Sequence, residues 1–378
     1  MSSKYLNGRD ISFWIGVQPT DTTQVEYNEL PRSSGNFQLN RTYTDDDTMV
    51  RERSSKDSVI TGTSVSGDIT ANMRLSEHYK QIRKGALQSY DPTVIAISGA
   101  LTYTHSTTTL SGDDFSAVVS GSYLGLTLDN GDIVTVLATA DGTATDLLIA
   151  GLTEDKTATA LNGETYTSSD NEVGFMLQRR AEGTNLAGDA PQTYYRTFEG
   201  VEVFSYTQSL ASESILQETY TLTGLTKQEG TDQPTQEPDV NYDLSEVLGS
   251  VKGVESIWFN GSKRKCFAQS LDFSIDNQGG ENKGLGQEGA CFLSYGDPII
   301  TGSMTLFNLK SNPYELDDLA DAQSLFPVAY VLYDVTEDKR MVVSGTCKAT
   351  TVDTPSDAGA LITTLGLKFV GKVSLTYF

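Results

Sequence analysis

The sequence reads as a mainly β protein: two tandem, mostly antiparallel β domains, each with one short α-helix, and a small all-β insert in the first. Two internal matches and a pervasive strand signal say so. Residues 66–89 and 301–324 align without gaps at an offset of 235, with identical pairs Gly67/Gly302, Thr70/Thr305, Ser76/Ser311, Tyr79/Tyr314, Gln88/Gln323 and Ser89/Ser324. Each window reads as a short strand, a turn at a serine and a helix, and a chain that repeats such a unit repeats a domain. A second match sets Phe198-Glu199-Gly200 and VEVFSYTQS against Val343-Ser344-Gly345 and TCKATTVDT at an offset of 145. The first copy therefore holds 90 more residues between its helix and this strand, and an insertion begins near Tyr90. Throughout, Thr, Val, Ile and Tyr alternate with polar residues in short runs bounded by Gly, Asn, Asp or Ser, the period of half-buried strands.

The elements follow in order. Residues 1–30 read as an N-terminal arm. A strand is expected over 58–63, then a helix on which Leu75, Tyr79, Ile82 and Ala86 make one apolar face. Pro92 and the Ser/Thr/Gly-rich tract 97–111 mark a boundary, and 167–171 marks another. Between them strands are expected over 94–97, 123–128, 132–137 and 147–152, joined by turns such as Asp129-Asn130-Gly131 and Ala140-Asp141-Gly142. Strands over 201–207 and 219–223 complete the first copy, and the acidic, proline-bearing stretch 228–239 has linker composition. The second copy offers strands over 271–275, 300–307, 328–334 and 361–369. Its helix follows Ser311-Asn312-Pro313, with Glu315, Asp317 and Asp318 near the positive end and Leu316, Leu319 and Ala320 as the apolar face. The domains expected are thus 31–90 with 172–227, the insert 91–171, the linker 228–240 and the second copy 241–378.

Fifty acidic residues against 27 basic ones give a net charge of −23, which argues against a surface that grips nucleic acid. No run of about 18 apolar residues exists to form a membrane helix, and the opening residues lack the apolar core of a signal peptide. Cys266, Cys291 and Cys347 are odd in number and lack CxxC spacing. They read as buried free thiols of a protein made in a reducing compartment, with a Cys266–Cys291 disulfide as the alternative.

The candidate sites weigh toward contact rather than chemistry. Gly284-Leu285-Gly286-Gln287-Glu288-Gly289 matches GxGxxG, but a dinucleotide site needs a helix after it, and 290–295 reads as a strand. The reading preferred is a projecting loop over 276–289. Asp45-Asp46-Asp47 lacks the alternating ligands of a calcium loop and reads as a hairpin tip. His78 and His105, the only histidines, have no metal-ligand spacing around them. Lys263-Arg264-Lys265 is too small for a nucleic-acid patch. No catalytic, cofactor or metal constellation emerges, so a non-enzymatic, cofactor-free protein is expected. The charged loop 41–58 and the loop 276–289 supply the inter-subunit or inter-ring contact candidates: Arg41, Asp45, Asp46, Asp47, Arg51, Glu52, Arg53 and Lys56 on the first, and Asn277, Glu281 and Lys283 on the second.

Several segments carry a family likeness. They are VITGTSVSGDITANMRLSEHYKQIRKGALQSYDP, YYRTFEGVEVFSYTQSLASESILQETYTLTG, and IWFNGSKRKCFAQSLDFSIDNQGG followed by CFLSYGDPIITGSMTLF. In these the chain resembles the tail tube (major tail) proteins of long, non-contractile-tailed bacteriophages, over nearly its whole length. The resemblance implies two tandem tail-tube β-sandwich or barrel domains that form rings and stack into a hollow tube in the virion tail. The tube would be assembled in the host cytoplasm and would conduct genomic DNA. It implies as partners further copies of the chain, a tape-measure protein in the lumen, and terminator and distal tail proteins at the ends. It further implies non-specific passage of double-stranded DNA and no membrane. The insert looks like the β decoration that many such proteins carry on the tube exterior. Two tube domains per chain lead to a trimeric ring with pseudo-sixfold symmetry, a homohexameric ring being the alternative. A channel face rich in acidic residues is also expected. Other readings are another β-rich virion or surface protein (a fibre, decoration protein or adhesin) or a carbohydrate-active β-sandwich enzyme, which needs paired carboxylates in a cleft.

Overall fold

The computed structural model describes residues 11–17, 27–45, 58–171, 173–183, 192–230, 245–264, 268–285, 289–308, 315–353 and 362–378. Strands β1 (Ile11–Val17), β2 (Tyr27–Glu29), β3 (Ser34–Gly35), β4 (Gln38–Asp45) and β5 (Ser58–Asn72) precede helix α1 (Glu77–Leu87). Next come β6 (Thr93–Thr104), β7 (Thr109–Ser111), β8 (Tyr123–Leu128), β9 (Ile133–Ala138), β10 (Asp146–Ala150) and β11 (Lys156–Thr167). Four strands follow: β12 (Phe175–Gly183), β13 (Gln192–Ala211), β14 (Gln217–Gly224) and β15 (Thr226–Gly230). The remainder holds β16 (Val254–Phe259), β17 (Ser262–Arg264), β18 (Ala268–Asp276), β19 (Gly280–Lys283), β20 (Ala290–Ser294) and β21 (Ile299–Phe307). It ends with α2 (Glu315–Asp321), β22 (Phe326–Asp334), β23 (Lys339–Asp353) and β24 (Ile362–Tyr377). The protein is mainly β, as its alternating pattern requires.

The pairings run twice through the same order. In the first half β4–β5–β14–β13 are consecutive antiparallel neighbours, and in the second half so are β18–β21–β24–β23. A further sheet orders β2–β1–β12–β13–β15, matched by β17–β16–β22–β23–β24. Registers agree too. Leu222 faces Gly67 and Thr219 faces Thr70, while Leu367 faces Gly302 and Thr364 faces Thr305. The offset of 145 holds for β14 and β24. For β13 and β23 it is 146, as the matched bulges between Val203 and Ser205 and between Ala349 and Thr351 show. The Gly200/Gly345 alignment is therefore one residue out of register.

The matched residues have physical roles. A Cβ on Gly67 would meet Phe37 Cα at 2.5 Å, and one on Gly302 would meet Asp272 O at 2.7 Å. Thr70 and Thr219 hydroxyls bond at 3.1 Å, and Thr305 and Thr364 at 3.2 Å. Gln88 (φ 51°) and Gln323 (φ 50°) both take the left-handed conformation just after a helix. Their N–H groups bond to Gly85 O and Ala320 O, satisfying carbonyls the helix leaves free. Ser76 is the α1 N-cap residue, without a side-chain cap bond. Ser311 and Tyr314 lie outside the described residues.

One hydrophobic core runs through both halves, including Phe13, Tyr79 and Leu222 from the first and Leu306, Phe326 and Leu365 from the second. The halves share this core rather than holding one each. Both helices pack on it, α1 through Tyr79, Ile82 and Ala86 and α2 through Leu316, with Leu319 and Ala320 partly buried.

A six-stranded barrel closes through β6–β7–β10–β9–β8–β11 and back to β6. It has its own core, with Leu101, Leu110, Phe115, Leu126, Val136, Leu147 and Leu161 all buried. Closure leaves this small unit without open edges. It is not a free appendage. β11 pairs with β24 from Glu164↔Tyr377 to Thr167↔Ser374. A third apolar cluster sets barrel residues Tyr123 and Leu137 against Trp258, Ala329, Val331 and Val342.

Three local expectations change. Within the supposed arm 1–30, β1 pairs along its whole length with β12 and places Phe13 and Ile15 in the core. The tract 97–111 is two strands, β6 and β7, around a turn at 105–108, because its threonines alternate with Leu101, Tyr103 and Leu110. The linker stretch begins as β15, paired with β13, before leaving the described residues.

Candidate assembly interface

The two four-stranded runs are joined edge to edge. β13 pairs with β18 from Ser205↔Asp276 to Ala211↔Ser270. One antiparallel sheet of eight strands results, with β4 at one end and the last part of β23 at the other. Among the described residues, β4 pairs only with β5, and residues 348–353 of β23 pair only with β24. Such edges offer unpaired backbone groups to another strand.

The two faces of this sheet differ because successive strand side chains alternate. Val65, Ile69, Tyr206, Leu222, Phe273, Met304 and Leu365 are buried on one face. Hydroxyls dominate the other. Beyond the threonine pairs, Thr221 donates to Asp68 at 2.8 Å, Ser209 to Asp272 at 2.8 Å and Ser303 to Asp272 at 3.2 Å.

Behind the joint lies a buried polar chain. Arg83 of α1 donates from Nε and Nη2 to Glu218 at 3.0 and 2.9 Å, with both side chains fully buried. Arg83 also reaches Arg74 O at 2.7 Å. Tyr206 donates to Glu218 at 3.2 Å, Gln208 donates to the Tyr206 hydroxyl, and Tyr330 donates to Gln208. The chain therefore links α1 and the first run to β22 of the second half. Burial opposes the charge on Arg83, but Glu218 together with Tyr220, Tyr377 and Tyr206 outweighs it and raises the guanidinium pKa. Burial, reinforced by the Glu218 charge, pushes Tyr206, Tyr220 and Tyr330 well above the ordinary tyrosine value. From the same helix Lys80 reaches Glu164 of the barrel at 2.5 Å, and Lys84 lies 4.7 Å from the Tyr166 ring centre.

The expected contact residues scatter. Arg41 is exposed on β4, and Asp45 ends that strand. Asp46, Asp47, Arg51, Glu52, Arg53 and Lys56 lie outside the described residues. Glu281 and Lys283 sit on β19, bridged to each other at 3.1 Å. Asn277 must be reassigned. It is 3 % exposed, and its amide donates to Ala86 O at 3.1 Å and Val203 O at 2.9 Å, clipping the end of α1 to β13. The loop 276–289 contains β19, paired with β20, so the GxGxxG run lies between two paired strands and is followed by a strand; residues 286–288 lie outside the described residues. Cys347 is a buried thiol, its pKa pushed up to about 12 by burial. Cys291 is exposed, contrary to expectation, and Cys266 lies outside the described residues. Sequence reasoning missed the Arg83–Glu218 pair. The available signal was Glu218 in a strand whose neighbours at two-residue spacing, Tyr220 and Leu222, are core residues.

Among the described residues no group of three or more His, Cys, Asp or Glu is placed to hold a metal. No described helix is long and apolar enough to cross a membrane. A cleft of about 530 Å³ between the β13–β14 turn and β16 is lined by Leu216, Val254, Ile257 and Leu271. Its Glu255 is bridged by Arg340 at 2.6 Å and Lys263 at 3.5 Å. No family model matches the chain, and no curated protein matches it.

Proposed function

We propose that the chain is a structural tail tube protein of a long, non-contractile-tailed bacteriophage, and that three copies close a ring with pseudo-sixfold symmetry. The observation that carries this is the repeated four-stranded run joined edge to edge by β13 and β18, with β4 and β23 left open. The open edges are the counterparts of the two strands already joined inside the chain. Repeating that joint between chains satisfies every edge by closure. In this reading the halves are two tandem tube domains. The barrel of β6–β11 is an insert in the first, placed on the tube exterior and braced against the second by β24. The hydroxyl face of the eight-stranded sheet lines the lumen. Its carboxylates, among them Asp68 and Asp272, are thinly spread among serines and threonines. Such a wall offers DNA few cations to hold it, which revises the expectation of an acid-dominated channel. Stacking of rings is a head-to-tail contact that generates a filament, and tape-measure, terminator and distal tail proteins are the partners it calls for.

Negative-stain electron microscopy of the purified protein tests this reading. Hollow tubes or stacked rings of three chains are expected. Rings of six chains overturn the trimer, and a protein monomeric at every concentration overturns the tube.

A further inference from the structure

We infer that one line of side chains on the hydroxyl face of the eight-stranded sheet is a contact for the phosphate backbone of double-stranded DNA, with Lys348 and Lys368 as its cationic end. That the DNA is the passing genome rests on the tube reading above. Lys348 of β23 faces Lys368 of β24, which faces Thr301 of β21. Ser274, Thr207, Thr219 and Thr70 carry the line on across β18, β13, β14 and β5. Each of these residues is at least partly exposed, and none is acidic. The lines on either side differ. One holds Asp272, which accepts from Ser209 and Ser303, and the other holds Asp68, which accepts from Thr221. On the lysine line the hydroxyls of Thr207, Ser274 and Thr301 bond to no protein group among the described residues.

Charge completes the site. Neither lysine has an ion-pair partner among the described residues. Their Cβ atoms lie about 5 Å apart as direct cross-strand neighbours, where like charges repel. A phosphate group between the two ammonium groups offsets that repulsion. The hydroxyls beside them are a second kind of phosphate ligand, and neither kind reads base sequence. The line crosses the strands, so it runs round the proposed lumen rather than along it. The neighbouring carboxylate lines lie two residues away, about 7 Å, which keeps the contact narrow. At the matched place in the first run stand Glu202 and Thr223, so each chain carries one lysine pair. A duplex is thereby touched at a few points and left free to slide.

The test uses the full chain, diluted until sedimentation shows single copies, and a fluorescently labelled DNA duplex about two helical turns long. Anisotropy reads binding at about 50 and about 200 mM salt. The wild type is expected to bind weakly, with Kd on the order of 10⁻⁴ M at the lower salt. Lys348→Gln with Lys368→Gln is expected to weaken binding about tenfold and to flatten the logarithmic salt dependence by about one unit per lysine. Thr301→Val is expected to weaken it about threefold, as loss of one neutral hydrogen bond does. Lys252→Gln, which removes an exposed lysine away from this face, is expected to change nothing. Neutralising the pair removes a repulsion, so its melting temperature is expected to hold or rise, which keeps folding out of the comparison. No binding by the wild type at the lower salt, or equal binding by the double lysine variant, overturns the contact. Displacement of the duplex by polyglutamate at equal charge also overturns it, in favour of an acidic protein. Tubes seen by microscopy without such binding leave the tube reading standing. Binding through these lysines by a chain that never assembles keeps the phosphate contact and removes the passing genome.

Discussion

In the first run, Glu218 is sealed against Arg83 beneath three buried tyrosines; at the matched place in the second run stand Thr363, Leu365 and Val352, with Asp318 where Arg83 would be. Strand order, facing residues and helix caps are otherwise shared. One backbone plan thus accepts an ionic centre in one copy and a largely apolar one in the other, so the ion pair is not what specifies the topology. Its position explains it better. The chain of bonds crosses from the first run to Tyr330 in the second half, where two sheets meet inside one molecule. The joint that is permanent carries buried polar fastening, while on the edge left open Lys348 is partly exposed.

The hardest way to break that comparison is to remove one partner of the buried pair. Arg83→Met leaves Glu218 uncompensated and is expected to lower unfolding stability by about 3–5 kcal/mol. Adding Glu218→Leu imports the apolar solution of the second run and is expected to recover most of that loss. Urea denaturation of the single and double variants reads both effects. A double variant as unstable as the single one shows that the first run needs its ionic centre.

Alkaline pH attacks the same centre without mutation. Burial and the Glu218 charge raise Tyr206 and Tyr220 well above their unfolded values. The neutral tyrosines are favoured in the folded state, so their contribution is whole below about pH 10, the unfolded tyrosine value, and is lost as pH rises above it. Stability is expected to be level between pH 8 and 9.5 and to fall beyond 10. Tyr206→Phe is expected to flatten that fall. A profile that stays level to pH 11 contradicts the burial of these hydroxyls.

Local structure was legible in the sequence where one residue carries one role. Gly67 and Gly302, Thr70 and Thr305, and Gln88 and Gln323 match because close approach, cross-strand bonding and a left-handed cap each restrict the residue allowed. The Arg83–Glu218 pair was not legible. Its partners are 135 residues apart, and nothing in a strand pattern says that a charged residue will be turned inward. The same limit applied to Asn277, which looked like loop surface and became an internal clip, and to β1, whose partner β12 lies beyond the whole barrel. The one-residue change of offset between β13/β23 and β14/β24 comes from the connection between the strands, since Thr207 faces Thr219 but Asp353 faces Thr364, one residue nearer in the chain.

Matched glycines give a milder comparison. A methyl at Gly67 would press on Phe37 backbone, and one at Gly302 on the Asp272 carbonyl, neither of which is a flexible side-chain end. Gly67→Ala and Gly302→Ala are each expected to cost about 1–3 kcal/mol, the range for overpacking. Similar losses support equal packing of the two runs. A loss at only one site marks where their equivalence ends, and thermal melting of both variants decides it.

The smallest expected effect tests the equivalence most finely. Thr70 pairs with Thr219 and Thr305 with Thr364, at hydroxyl separations within 0.1 Å of each other. All four face away from the core, where water competes for each hydroxyl, so either pair contributes under about 1 kcal/mol. Thr70→Val and Thr305→Val are expected to shift the urea midpoint slightly and by equal amounts in dilute, unassembled protein. In assembled rings both positions lie on the proposed lumen face, two strands from a joint between or within chains. The shifts are therefore expected to remain equal there. A difference that emerges only on assembly locates a contact that one run makes and the other does not.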